Sequence, residues 1–243
     1  STRNRYHHLA LTLLTLFNSR LPECFINLID DGSTEKIPQQ NKLVSNLVND
    51  GLIHRYDTFE SPLGEMGMKS FLWQRFHSLS NFEYHIHLDD DFILGEDLIR
   101  KVKQDYASVG NCGFLHIFAD PRLNSFGENR GFKYVEKIFP KAYIVSKETL
   151  IDFENPFDKE TKQECSNFFA DQLLERKQRI FVKSPYYKIQ ATDGLMQRCG
   201  ETGRLTQVPG YDVHLLDAMI REGNFASFVG QANKSHLISL DLT

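Results

Sequence analysis

The stretch HIHLDDD, residues 85–91, can be read from either end, and the two readings imply different proteins. From the left, His85, His87 and Asp89 fall on alternate positions, the spacing of a histidine-rich zinc site. From the right, YHIHL (84–88) is a strand that runs into three consecutive aspartates. In open α/β sheets, ligands bind beyond the carboxyl ends of strands. On the first reading the histidines hold a metal. On the second they pack within the strand, and the chemistry begins at Asp89.

The sequence around this stretch alternates helix and strand. Residues 6–19 carry apolar side chains at helical spacing, and CFINLI (24–29) is an apolar run of strand length stopped by the turn sequence DDGST. Residues 35–50 read as a helix, LIHRY (52–56) as a strand, 61–67 as a loop and 69–79 as a helix. After the 84–88 strand come a helix over 96–107 and a strand over 113–118. Residues 119–131 read as a loop or short excursion, AYIVS (142–146) as a strand leading into KETLIDF, 166–179 as a helix and 179–183 as a strand. The Gly-rich, polar segment 191–210 is the expected mobile part, and 211–222 the last helix. This alternation predicts an α/β fold whose central sheet is mostly parallel and flanked by helices. No linker divides the chain, so one domain is expected.

Two acidic clusters end strands: Asp30-Asp31 after CFINLI, and Asp89-Asp90-Asp91 after YHIHL, roughly 60 residues later. Aspartate often ends strands for turn reasons alone. Two such clusters call for a cation or strong donors, because neighbouring carboxylates repel. Hard oxygen ligands suit Mg²⁺ or Mn²⁺, and these suit diphosphates. As far as the strand continues, Asp89 and Asp91 share a face and Asp90 points the other way, so the expected pair is D-x-D.

STRNR (1–5), LIDDGST (28–34) and HLDDDFIL (87–94) together resemble the GT-A fold glycosyltransferases, including glycosyltransferase family 2 and the β-galactosyltransferases. Those enzymes have an opening nucleotide loop, a DDGS-type turn after the second strand and a DxD motif. STRNRYHHL is similar to the FRNR-containing uridine loop of the β-galactosyltransferases, and DDDFIL to their DVDLIP. The likeness covers residues 1–95 and thins afterwards. It implies a single domain with a nucleotide-sugar part over about 1–118 and an acceptor-binding part over about 119–243.

Carried onto this sequence, the resemblance implies that Thr2, Arg3 and Arg5 contact a UDP-sugar and that Asp31 accepts a hydrogen bond from uracil. Asp89 would lie near the ribose and metal, Asp90 beside the donor, and Asp91 on the Mn²⁺ or Mg²⁺ that bridges the diphosphate. Lys69 would reach the diphosphate. The chemistry fits, since departing UDP carries new negative charge that a divalent cation and arginines stabilise. An inverting transferase also needs a base for the acceptor hydroxyl. FFADQLLERK (168–177) resembles the family's acidic pair followed by a leucine-containing helix, with Asp171 as that base and Ala170 departing from the usual glutamate or glycine. At a helix start Asp171 would also serve as a cap. Glu154, Asp158 and Glu164 are the alternative bases, and His214 and His236 the histidines available as a further metal ligand.

Three other readings compete. HIHLDD resembles the HxHxDH signature of the metallo-β-lactamase hydrolases, but Asp90 stands where the last histidine belongs. That reading also leaves STRNR and DDGST unexplained. A nucleotidyltransferase usually opens on a Gly-rich phosphate loop, and residues 1–8 contain no glycine. A degenerate transferase that binds sugar nucleotide or glycan without turnover is the non-enzymatic alternative.

Bulk properties bound the rest. The 243 residues are 41% hydrophobic and 25% charged, enough for a sizeable core. A net charge of −4 with scattered basic residues gives no footprint for nucleic acid. Four separated cysteines without a CxxC pair argue against a zinc ribbon and are expected to be reduced. No apolar run is long enough to span a membrane. The opening STRNR lacks a preceding apolar strand, as expected of a trimmed domain. The expected location is cytoplasmic or peripheral to a membrane, with a secretory lumen left open. The sequence leaves the acceptor, whether glycan or another hydroxyl compound, and the oligomeric state undetermined.

Overall fold

The computed structural model describes residues 2–3, 5–18, 24–33, 38–79, 81–94, 97–118, 124–138, 140–151, 153–158, 161–183, 189–191, 198–199 and 204–205. Helix α1 (Tyr6–Asn18) leads to β1 (Asn27–Asp30), α2 (Pro38–Asn49) and β2 (Arg55–Thr58). Helix α3 (Gly64–Ser78) precedes β3 (Tyr84–Leu88) and β4 (Phe92–Leu94). Next come α4 (Leu98–Ser108), β5 (Cys112–His116), β6 (Ser125–Asn129), β7 (Phe132–Val135) and β8 (Ala142–Ser146). The remainder is α5 (Lys147–Leu150), a 3₁₀ turn (Pro156–Asp158), α6 (Lys162–Glu175), β9 (Arg179–Lys183), β10 (Ile189–Ala191), β11 (Arg198–Cys199) and β12 (Arg204–Leu205). The expected final helix over 211–222 lies outside the described residues.

The chain forms two compact units, each assembled from separated segments, so no single linker divides them. One unit takes Ser1–Pro62, Asp89–Ile99 and Lys188–Thr243. Its core is the apolar stripe of α1 (Leu9, Ala10, Leu13) packed with Leu28 of β1, Val44 and Leu47 of α2, and Ile53. Strands β1 and β2 pair in parallel, Asn27 opposite Arg55 through Asp30 opposite Thr58. Thr2 adds a parallel bridge to Asp30. Strand β10 pairs antiparallel with β4, and β11 with β12, so part of the expected mobile segment is regular structure.

The other unit takes Leu63–Leu88 and Arg100–Tyr187. It holds a six-stranded sheet in the order β3-β8-β5-β9-β7-β6. Only β5 and β9 are parallel; the β3-β8, β5-β8, β7-β9 and β6-β7 pairs are antiparallel. The fold is therefore α/β with a mixed sheet, not the mostly parallel one expected. The cause is the β6-β7 hairpin between β5 and β8, which turns the chain around before β8 inserts between β3 and β5. The core is aromatic: Trp73 packs edge-on against Phe157 and Phe169, at 5.8 and 5.7 Å between ring centroids.

Helix α6 begins at Lys162, four residues before the expected start, because Thr161 and Glu164 form a reciprocal capping box. Cys24, Cys112 and Cys165 are free thiols. Burial pushes the Cys165 thiol up to about 11 and raises that of Cys112 as well. Among the described residues no helix is long and apolar enough to cross a membrane.

Candidate functional site

The three motifs that are remote in sequence meet within the first unit. Asp30 ends β1, and its carboxylate is committed to the turn. Its Oδ1 accepts from the Ser33 amide at 2.9 Å and its Oδ2 from the Tyr56 hydroxyl at 3.3 Å. Burial, then the charge and hydrogen bond of Asp30, hold the Tyr56 phenol protonated above its ordinary range. Gly32 has φ +67°, and a Cβ there would lie 2.8 Å from the Pro62 nitrogen, so only glycine fits this DDG turn. Next to it, Asp31 is buried, and its amide donates to the Thr2 carbonyl at 2.9 Å. The Thr2 amide in turn donates to the Ile29 carbonyl at 2.9 Å. The opening segment is thus stitched onto the end of β1.

Arg5 carries the link to the second acidic cluster. Its Nη1 lies 3.3 Å from Oδ1 of Asp90 and 3.3 Å from Oδ2 of Asp91, while Nη2 donates to the same Asp91 oxygen at 3.4 Å. Both carboxylates are buried, at 5% and 4% exposure, and Asp89 is half-buried. Burial pushes the Asp90 carboxyl up to about 6, against the opposing pull of Arg5 and of the neighbouring Thr2.

The strand alternation that suggested a D-x-D pair does not reach the aspartates. Strand β3 stops at Leu88, and Asp90 and Asp91 lie in the turn before β4. Strand alternation therefore does not apply, and the two adjacent aspartates converge on one guanidinium.

Two residues that sequence reasoning assigned only to a core helix hold this turn and the strand β4 that follows it. Thr12 and Thr15 are buried and stand three apart on one face of α1. The Thr12 hydroxyl accepts from the Phe92 amide at 3.1 Å and shares its proton between the carbonyls of Asp90 and Phe92, at 2.8 and 2.9 Å. The Thr15 hydroxyl accepts from the Leu94 amide at 3.1 Å. The signal was present as T-x-x-T (12–15) within an otherwise apolar helix.

Arg3 is exposed. Lys69 is not presented to solvent: it is 1% exposed within α3 and salt-bridged to Glu65 at 2.7 Å. Asp171 lies well inside α6, exposed, and not at the helix start. Of the alternative bases, Glu164 is spent in the capping box and Glu154 is exposed. Asp158 accepts from Ser70 at 2.6 Å and from Asn155 at 3.0 Å. His214 and His236 lie outside the described residues. His85 and His87 are packing residues in the sheet. The His87 ring stacks on Tyr143 at 5.1 Å, and His85 lies 5.2 Å from Phe76. Burial drives the His85 imidazole down to about 3.

Among the described residues no group of three His, Cys, Asp or Glu side chains is arranged to hold a metal ion. A dedicated cage is not what Mg²⁺ or Mn²⁺ requires, since such ions use one or two carboxylates and complete their shell with substrate phosphates and water. Asp89 and Asp91 are the residues that would supply that pair. A scan against protein-family models matches no family, and a search of curated proteins returns no match.

Proposed function

We propose that the chain is a metal-dependent glycosyltransferase of the GT-A type, moving a sugar from a UDP-sugar to an acceptor hydroxyl with inversion. One observation carries this reading. STRNR, DDGST and DDD, the three stretches that resemble the family, are tied to one another in a single unit through Thr2, Asp31, Arg5, Asp90 and Asp91.

In this reading Arg5 does two jobs. It neutralises the buried aspartates in the resting protein, and it supplies a donor for diphosphate oxygens as the leaving UDP gains charge. Thr12 fixes the backbone of the acidic turn and Thr15 that of β4 behind it, so that the carboxylates need not reorganise when the donor arrives. Asp31 accepts from the uracil ring. A bound divalent cation would supply Lewis-acid stabilisation of the leaving diphosphate. Asp171, exposed on α6, takes the acceptor proton.

The test is a thermal-shift screen of UDP and UDP-sugars with and without Mn²⁺. A ligand that binds only the folded chain at 100 times its Kd adds about 2.7 kcal/mol of stability. Stabilisation by UDP that needs the metal is expected. No response to UDP or to any UDP-sugar, with or without metal, overturns the reading.

A further inference from the structure

The second unit has a cavity of about 550 Å³ along one face of β7 and β9. Phe132 stands opposite Lys183 and Tyr134 opposite Phe181 in the antiparallel register, so these four and Arg179 share that face. Phe132, Tyr134 and Phe181 line it: Phe132 and Phe181 are buried, and half-buried Tyr134, 5.0 Å from Phe181, is the ring that reaches its surface. Arg179 lies 5.4 Å over the Tyr134 ring and Lys183 5.2 Å over that of Phe132. Arg130 completes the cationic rim. Among the described lining residues Asp105 is the one carboxylate, held by Lys183 at 2.5 Å. Three cations around one carboxylate is a marked local excess in a chain of net charge −4.

Arg130 provides a second, independent indication. It and Gly131 form the two-residue turn between β6 and β7, with φ of +50° and +78°. Such turns demand positive φ at both positions and favour Asn-Gly or Gly-Gly. An arginine there holds a conformation disfavoured for a side chain with a Cβ, and strain of this kind gathers at ligand sites.

We infer that this cavity binds a small anionic ring ligand, a sugar carrying a phosphate or carboxylate. Arg130 and Arg179 hold the anion through charge-assisted hydrogen bonds, and the apolar face of the sugar lies against the accessible edge of Tyr134. The volume suits a ligand of this size. The inference uses none of the residues of the Arg5 cluster and does not rest on the transferase reading.

The experiment is a titration of the full chain, followed by protein-observed NMR, with glucose 6-phosphate, glucuronate, glucose and inorganic phosphate. Saturable binding of glucose 6-phosphate or glucuronate is expected, and the tighter of the two identifies the anionic group. Arg130→Gly and Arg179→Gln should each weaken it about tenfold. Arg130→Gly suits the turn's positive φ, and Arg179→Gln is a second variant should either fail to fold. Asp105→Asn should tighten binding by releasing Lys183. Glucose binding as tightly as the anionic sugars, phosphate alone binding as tightly, wild-type affinity in both arginine variants, or no saturable binding of either anionic sugar would each overturn the proposal.

Discussion

Arg5 and Asp91 make a two-pronged contact, with Nη1 and Nη2 at 3.3 and 3.4 Å from one carboxylate oxygen, and the same Nη1 also reaches Asp90. One guanidinium therefore balances two buried aspartates. Truncating it removes one opposite charge from both. Breaking a buried ion pair from one side costs about 3–5 kcal/mol, and the partial exposure of Arg5 lowers the expected loss for Arg5→Ala to about 2–3 kcal/mol at pH 7.5. Arg5→Lys should recover only part of it, because a single ammonium cannot reproduce the fork. Urea denaturation of the three proteins measures this; an Arg5→Ala midpoint equal to wild type would show that the contact carries no stability.

The Asp90 carboxyl gives a pH dependence of definite sign. Folded, it keeps its proton up to about pH 6; unfolded, it releases it near 3.8. Between those values the folded state binds more protons, so this residue's contribution to stability falls as pH rises through the window and is level above it. Asp90→Asn removes that slope. Its Tm relative to wild type should climb between pH 4 and 6 and then hold. In a chain of this size, each gain of about 1 kcal/mol would appear as roughly 2–4 °C. Calorimetry across pH 4–7.5 decides, and a Tm difference that does not change with pH excludes this account.

The acidic turns could be read directly because each follows a short apolar run that must be a strand, as at Ile29 before Asp30 and Leu88 before Asp89. Strands β3, β8 and β9 fall on the expected residues for the same reason. Strand direction was not legible. The β6 sequence SFGEN is exposed and polar, an edge strand with no hydrophobic period, so the hairpin that reverses the chain left no pattern. The α6 start was legible in principle as T-x-x-E at Thr161 and Glu164. The roles of Thr12 and Thr15 were hidden, because a threonine on an apolar helix face looks the same whether it fills space or holds a distant turn.

Thr12→Val keeps the shape of the side chain and removes the hydroxyl. The buried Phe92 amide and the nearby Asp90 carbonyl then lose a partner, at a cost of about 1–3 kcal/mol. UDP affinity should also fall, although Thr12 is not assigned to touch the ligand, since the turn that carries Asp90 and Asp91 is released. Thr12→Ser should restore both. Stability lost without any change in UDP binding would mean that the hydroxyl braces the core and not the site.

Gly32→Ala tests the first acidic turn. The added methyl meets the Pro62 nitrogen at 2.8 Å and the Ser61 carbonyl carbon at 3.0 Å, both backbone atoms that cannot rotate away, and the φ of +67° is unfavourable for alanine. A loss of about 2–3 kcal/mol is expected. Wild-type stability in a thermal melt would show that the turn relaxes freely.

Binding and turnover should separate between Asp91 and Asp171. Asp91 is buried against Arg5 in the acidic turn, and Asp171 is exposed within α6. Asp91→Asn keeps the side-chain volume and removes the charge that a divalent cation needs, so calorimetric UDP binding should lose its dependence on Mn²⁺. Asp171→Asn leaves that binding unchanged and removes a proton acceptor, so kcat should fall by about 10²–10⁴ while the Kd for UDP stays put. The split matters more than either number. If Asp171→Asn turns over like wild type while Asp91→Asn behaves as described, the donor site stands and the base lies elsewhere, with Asp158 tied to Ser70 and Asn155 as the next residue to substitute. If Asp91→Asn binds UDP with its metal dependence intact, the acidic turn is not the metal site.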